Sequence, residues 1–191
     1  MTLTFDEATH EYHIDGVLVP HVTAVLESER IIDYSKVEPS VLQAAKLRGH
    51  YVHMVTAFDD DGDLDHDSVH PSIAGYLQAW WKFRRETGFK PTLIEQHVYS
   101  PTYGFAGTLD RLGRMGGETI LVDIKSGPIL DGAAFQTAAY ALCVEEIVDR
   151  RIAVRLNDNA TYTVRTFEGD YDEEIFLAAL SLYKWRHNYG K

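Results

Sequence analysis

The chain has 191 residues, 45% of them hydrophobic and 25% charged, an ordinary globular composition long enough to bury a core without staples. A single cysteine rules out an internal disulfide framework and any multi-cysteine zinc or iron–sulfur site, and no apolar run approaches the roughly 20 residues of a membrane span. The net charge of −11 argues against broad, non-specific phosphate neutralisation, but leaves room for a local basic groove or for a site whose positive charge comes from metal ions.

The N-terminus is acidic and polar, with no apolar core of a signal peptide and no Arg-rich amphipathic stretch, so no targeting segment is expected. Asp15-Gly16 between Tyr12–Ile14 and Val17–Val19 predicts a β-hairpin within residues 1–20. Pro20 breaks the strand, and a short helix follows over 22–27, capped by His21 or Thr23. Pro39 suits the first position of a helix over about 39–58, with Val41, Leu42, Ala45, Val52 and Val55 in helical spacing and Gly49 inside it. The acidic run Asp59–Asp67 does not fit a calcium loop, because Ala57 and Ser68 would fall at ligand positions. It reads as a solvated loop.

Pro71 opens a second helix to Thr87, ended by Gly88, whose aromatic stripe suits a core. Three strands are predicted over about 92–99, 104–113 and 118–124. A helix capped at Asp131-Gly132 runs to about Val148, two strands cover 152–156 and 161–167, and a last amphipathic helix covers about 171–188. The order predicts one α/β domain over residues 1–191, a central mixed sheet with helices packed on it.

The stretch from Gly104 to Tyr140 carries the chemistry. Asp123 and Lys125, two apart in the strand Ile120–Lys125, project from one face. Charges in so apolar a strand are costly unless they have partners or a task. The Gly116-Gly117 turn pairs this strand with the preceding one, so Asp110 and Asp123 converge on an oxygen-rich site suited to Mg²⁺ or Mn²⁺, one or two ions. Such a site supports phosphodiester hydrolysis, with Lys125 orienting water or neutralising the phosphorane. Glu95, on the first strand, is a further candidate carboxylate.

Asp110, Asp123-Ile124-Lys125 and Gln136 with Tyr140 resemble the PD-(D/E)XK nuclease superfamily, and more narrowly its RecB-like and lambda-exonuclease-like branch. Gly49-His50 with His53, Gly107-Thr108-Leu109-Asp110, Asp123-Ile124-Lys125-Ser126-Gly127 and Gln136-Thr137-Ala138-Ala139-Tyr140 match its motifs in order, over about residues 48–165. The resemblance implies a restriction-endonuclease-like core, metal held by Asp110, Asp123, the Ile124 carbonyl and His53, and Lys125 as the catalytic lysine. It places Gln136, Tyr140 and Ser126 beside the nucleic acid. Among basic residues, Arg111 and Arg114 adjoin Asp110 and are the first candidates for phosphate contacts, ahead of Lys82, Arg84, Arg85, Lys46 and Arg48.

The expected function is thus a metal-dependent DNA exonuclease of recombination, repair or replication, cytoplasmic in a bacterial or phage-infected host. A recombination or single-strand-binding partner, or oligomerisation, would supply the grip that a −11 chain lacks. The alternatives are a catalytically silent nucleic-acid-binding or assembly module of the same fold, and a structure-specific endonuclease.

Overall fold

A computed structural model describes residues 1–189. Strands β1 (Leu3–Asp6), β2 (Glu11–Ile14) and β3 (Val17–Val19) form a small antiparallel sheet. The β2–β3 turn places Asp15 and Gly16 at φ +50° and +80°, as a two-residue hairpin turn requires. The expected hairpin thus gains a third strand, β1, whose four residues are too few for a readable period. Helix α1 (Val22–Ser28) follows, capped by His21, whose Nδ1 accepts the Ala24 N–H at 3.4 Å.

Helices α2 (Pro39–Asp61) and α3 (Pro71–Thr87), joined through a 3-10 turn at His66–Ser68, precede the main sheet. Its strands are β4 (Lys90–Ser100), β5 (Phe105–Met115), β6 (Glu118–Lys125), β7 (Arg150–Leu156) and β8 (Tyr162–Phe167), in spatial order β4-β5-β6-β7-β8. All neighbours are antiparallel except β6 and β7, which helix α4 (Gly132–Ala141) connects. Helix α5 (Asp172–Tyr189) closes the chain. No helix among the described residues is long and apolar enough to cross a membrane.

Helices cover both faces of the main sheet, which is why its inner strands read as continuous apolar runs. Ile120, Val122 and Ile124 of β6 pack with Val52, Val55, Trp80 and Phe83 of α2 and α3. The intervening Leu121 packs on the other face with α1, α4 and α5, among Leu26, Tyr140 and Phe176. Asp123 alternates with Ile124 and so lies on the α4 side.

Helix α4 ends at Ala141 rather than near Val148. Its last turn tightens where the Cys143 N–H bonds the Tyr140 carbonyl, and the chain then turns back to the sheet, where Asp149 and Thr119 exchange two bonds at 3.0 and 2.8 Å. Val144 and Val148 still pack on the core, which is why the apolar spacing outlasts the helix. Asp131 caps nothing with its side chain, which pairs with Arg165 instead. Nor is the acidic run all loop: Asp59, Asp60 and Asp61 form the last turn of α2.

Gly75 of α3 lies against the β7–β8 turn, where an added Cβ would overlap the Asp158 carbonyl. Alanine in place of a mid-helix glycine ordinarily gains up to about 1 kcal/mol. Here the sign reverses: Gly75→Ala should lose about 1–3 kcal/mol, seen as a fall in Tm of about 2–4 °C per kcal/mol. A raised Tm would refute this packing.

Candidate metal centre

The site lies where β5 and β6 part. Their pairing runs from Met115/Glu118 to Arg111/Val122 and stops there. Beyond that point the N–H and C=O of Ile124 face an open seam, and buried main-chain groups must find partners. Side chains supply them. Asp110 Oδ2 accepts the Ile124 N–H at 2.6 Å, and His53 Nε2 lies 3.0 Å from the Ile124 carbonyl oxygen. His53 reaches the seam from α2, and its Nδ1 stands 3.1 Å from Glu95 Oε1 and 3.6 Å from Asp110 Oδ1.

The alternation of faces breaks here in both neighbouring strands. Leu109 and Leu112 of β5, and Leu93 and Val98 of β4, are odd numbers of residues apart yet pack into one cluster. Glu95 absorbs the break in β4 at φ +44°, a region that costs a non-glycine residue strain and is held only where surroundings enforce it. Turned this way, its carboxylate joins His53 and Asp110, whose ligand atoms all lie within 4.8 Å of one another.

Asp123 and Lys125 meet as the strand period requires, with Nζ 2.9 Å from Asp123 Oδ1. Lys125 also donates to Gln136 Oε1 at 3.1 Å, and Gln136 Nε2 to the Tyr140 hydroxyl at 3.4 Å, so α4 clamps the lysine. Tyr140 is buried, and an added Cβ at Gly107 would lie 2.7 Å from its ring; the glycine lets α4 lie close on β5. Ser126 follows Lys125 in a bend, its Oγ 3.7 Å from where a Cβ on Gly49 of α2 would sit.

The charges interact strongly. Burial alone would lower His53, but the carboxylates of Asp110 and Glu95 outweigh it and raise it to about 9. Burial, with Asp123 and Glu95 nearby, raises Asp110 to about 7 against the pull of His53 and Lys125. Burial would lower Lys125 as well, yet Asp123 and Asp110 raise it, so the amine remains an ammonium.

The donor set fits a hard divalent cation. It offers the carboxylates of Glu95 and Asp110 and the imidazole of His53. Asp123 Oδ2 is buried with no hydrogen-bond partner among the described residues, an orphan that a cation would satisfy.

One expected phosphate contact is corrected. Arg111 is wholly buried on the α2 side, where its Nε donates to Asp60 at 2.7 Å, one terminal nitrogen to Glu95 at 2.7 Å and the Asp110 carbonyl at 2.6 Å, and the other to Thr56 at 3.1 Å. Every arm is taken, and no phosphate can reach it. Arg114, about 13 Å along β5 from Asp110, stays exposed and pairs with Glu146 at 3.2 Å.

Asp60, read as solvated, is instead the anchor of this buried network, bonded also by Trp80 at 3.0 Å and Arg84 at 2.5 Å. The signal for it was its place one helical turn beyond Thr56 and two beyond His53, on the face of α2 turned to the sheet. Arg48, a weaker candidate by sequence, packs by the Ser126-Gly127 bend, and its Nε is buried with no partner among the described residues. The N-terminal sheet, given no role by sequence, docks through Tyr12, whose hydroxyl lies 2.6 Å from Thr108 Oγ1. With His10 and His21 it walls a cavity of about 170 Å³ that opens beside Asp110.

No protein-family model matches the chain, nor does any curated protein match it in sequence. Among solved structures it is similar to LHK-Exo, an alkaline exonuclease from Laribacter hongkongensis, with 20% identity, 57% of this chain and 68% of that one covered, and a TM-score of 0.36. For LHK-Exo in complex with dAMP the values are 17%, 88%, 92% and 0.42. For SSO0001 they are 13%, 60%, 58% and 0.38. At these scores the likeness carries no functional weight, and the chain's own residues must.

A group whose pKa is raised by folding stabilises the fold below its unfolded value and stops doing so as pH passes the folded one. His53, raised from 6.5 to about 9, should therefore stabilise the metal-free protein fully below about pH 6.5 and lose that contribution as pH climbs to about 9. In EDTA the Tm should fall across this window, and His53→Ala should flatten the fall. A wild-type Tm constant from pH 6.5 to 9 would exclude the His53–carboxylate pairing.

Proposed function

We propose that this chain is a Mg²⁺- or Mn²⁺-dependent nuclease of the PD-(D/E)XK type that hydrolyses DNA phosphodiesters from an end, in recombination, repair or replication. One observation carries the reading: Asp110, Asp123 and Lys125 converge with His53 and Glu95 at the open β5–β6 seam, leaving Asp123 Oδ2 unpartnered. Asp110, Asp123, His53 and the Ile124 carbonyl would hold one or two ions, with Glu95 as a further ligand. A bound ion polarises the phosphate and makes a water nucleophilic near neutral pH.

The chain's own residues do the rest. Lys125, kept cationic by Asp123 and Asp110, serves as a fixed positive charge and proton donor facing the phosphorane rather than as a general base. Gln136 accepts from its Nζ at 3.1 Å and is itself held by donating to the Tyr140 hydroxyl at 3.4 Å. Burial raises the Tyr140 hydroxyl well above the usual phenol range, so it acts as a neutral partner in that clamp. Ser126, in the bend after Lys125, and Arg48, packed beside that bend from α2, would meet the nucleic-acid backbone.

The test is cleavage of end-labelled linear double- and single-stranded DNA with Mg²⁺, Mn²⁺ or EDTA, beside a covalently closed circle. We expect metal-dependent loss of linear DNA, an intact circle, and a fall in kcat of roughly 10²–10³ in Lys125→Ala. Cleavage of the circle would make it an endonuclease. Absence of cleavage with either metal would overturn the nuclease reading in favour of a binding module.

Phosphate contact by Arg48 has its own signature. Arg48→Ala should weaken DNA binding and reduce the salt slope, the dependence of log K on log salt, by about 1. Arg114→Ala should leave the slope unchanged. Equal slopes for wild type and Arg48→Ala would remove Arg48 from the interface.

A further inference from the structure

Helix α2 is apolar on two sides. Val52 and Val55 lie buried against α3 and the sheet. On the outer side Leu47, Tyr51, Met54 and Phe58 are exposed by 55, 43, 39 and 47%. Their spacing of four, three and four residues is that of a seam presented to another helix. The row borders a cavity of about 680 Å³ whose far wall includes Leu64 and Val69. Four large apolar side chains in one row, beside an apolar hollow, form a partner surface rather than scattered exposure.

The charges along α2 select the partner. Lys46 and Arg48 lie in its N-terminal half, and its C-terminal end leads into Asp61, Asp63, Asp65 and Asp67, all four exposed. That acidic end would repel nucleic acid or an anionic membrane. It complements the other half of the same helix.

We propose that α2 forms the interface of a two-fold homodimer, its outer stripe packed antiparallel against the same stripe of a second copy. The axis passes between Tyr51 and Met54, so Tyr51 faces Met54 of the second copy and Leu47 faces Phe58. The same rotation sets Lys46 level with Asp59 and within one turn of Asp61 of the second copy, at both ends at once, as a self-complementary isologous contact requires. A parallel arrangement would bring the two acidic ends together. His53 lies on the sheet-facing side of α2, so both metal centres stay open. The inference does not depend on the nuclease reading.

Analytical ultracentrifugation of the full chain in EDTA, over micromolar to hundred-micromolar concentrations, tests it. The expected species has twice the 21.6 kDa chain mass. Leu47→Glu, at an exposed position and checked for retained fold by circular dichroism, should return the monomer mass. Lys46→Glu and Asp61→Lys should each weaken the dimer about three- to tenfold, and the two together should restore it. A monomer at every concentration, a ring of three or more copies, or a dimer indifferent to Leu47→Glu and Phe58→Glu would each overturn the proposal.

Discussion

The site depends on a ladder that stops early. Where β5 and β6 separate beyond Arg111 and Val122, the main chain of Ile124 would be left with an unpaired donor and acceptor inside the protein, at a cost of about 1–3 kcal/mol for each group. The carboxylate of Asp110 and the imidazole of His53 fill both vacancies. The geometry that satisfies the strand is thus the same geometry that gathers the carboxylates. Asp110 cannot swing away without orphaning a peptide N–H, so its position is set by the backbone rather than by rotamer preference.

Behind the seam lies a second constraint, the buried guanidinium of Arg111. A charge taken out of water is tolerated only with paired and hydrogen-bonded surroundings, and Arg111 has them in Asp60, Glu95, Thr56 and the Asp110 carbonyl. Because those partners come from α2, β4 and β5, one side chain locks the helix that carries His53 to the strands that carry Glu95 and Asp110. It also holds Glu95 in its left-handed backbone conformation, which no local preference of a glutamate would maintain. Arg111 therefore shapes the centre without facing it.

These two constraints mark what the sequence could reveal. Period-two spacing put Asp123 and Lys125 on one face, and helical spacing put Gln136 and Tyr140 on one side of α4; both arise within single elements, and the structure joins each pair directly. The hairpin turn at Asp15-Gly16 and the glycine end of α3 were legible for the same reason. Arg111 was misread because adjacency to Asp110 says nothing about direction, and successive residues of a strand face opposite ways. Asp60 was misread because a run of aspartates hides the one that turns inward. The face reversal at Glu95 depends on β4, β5 and α2 together and has no signature in any one of them.

The electrostatics of the centre follow from the same arrangement. His53, Lys125 and Arg111 set three cationic side chains among Asp60, Glu95, Asp110 and Asp123, so the cluster is nearly balanced while His53 carries its proton. The two N–H groups of the imidazolium serve opposite sides of the ring, Nδ1 the carboxylates and Nε2 the Ile124 carbonyl. A cation held by His53, Glu95 and Asp110 would compete with the Nδ1 proton, so its affinity would rise with pH until the imidazole is neutral.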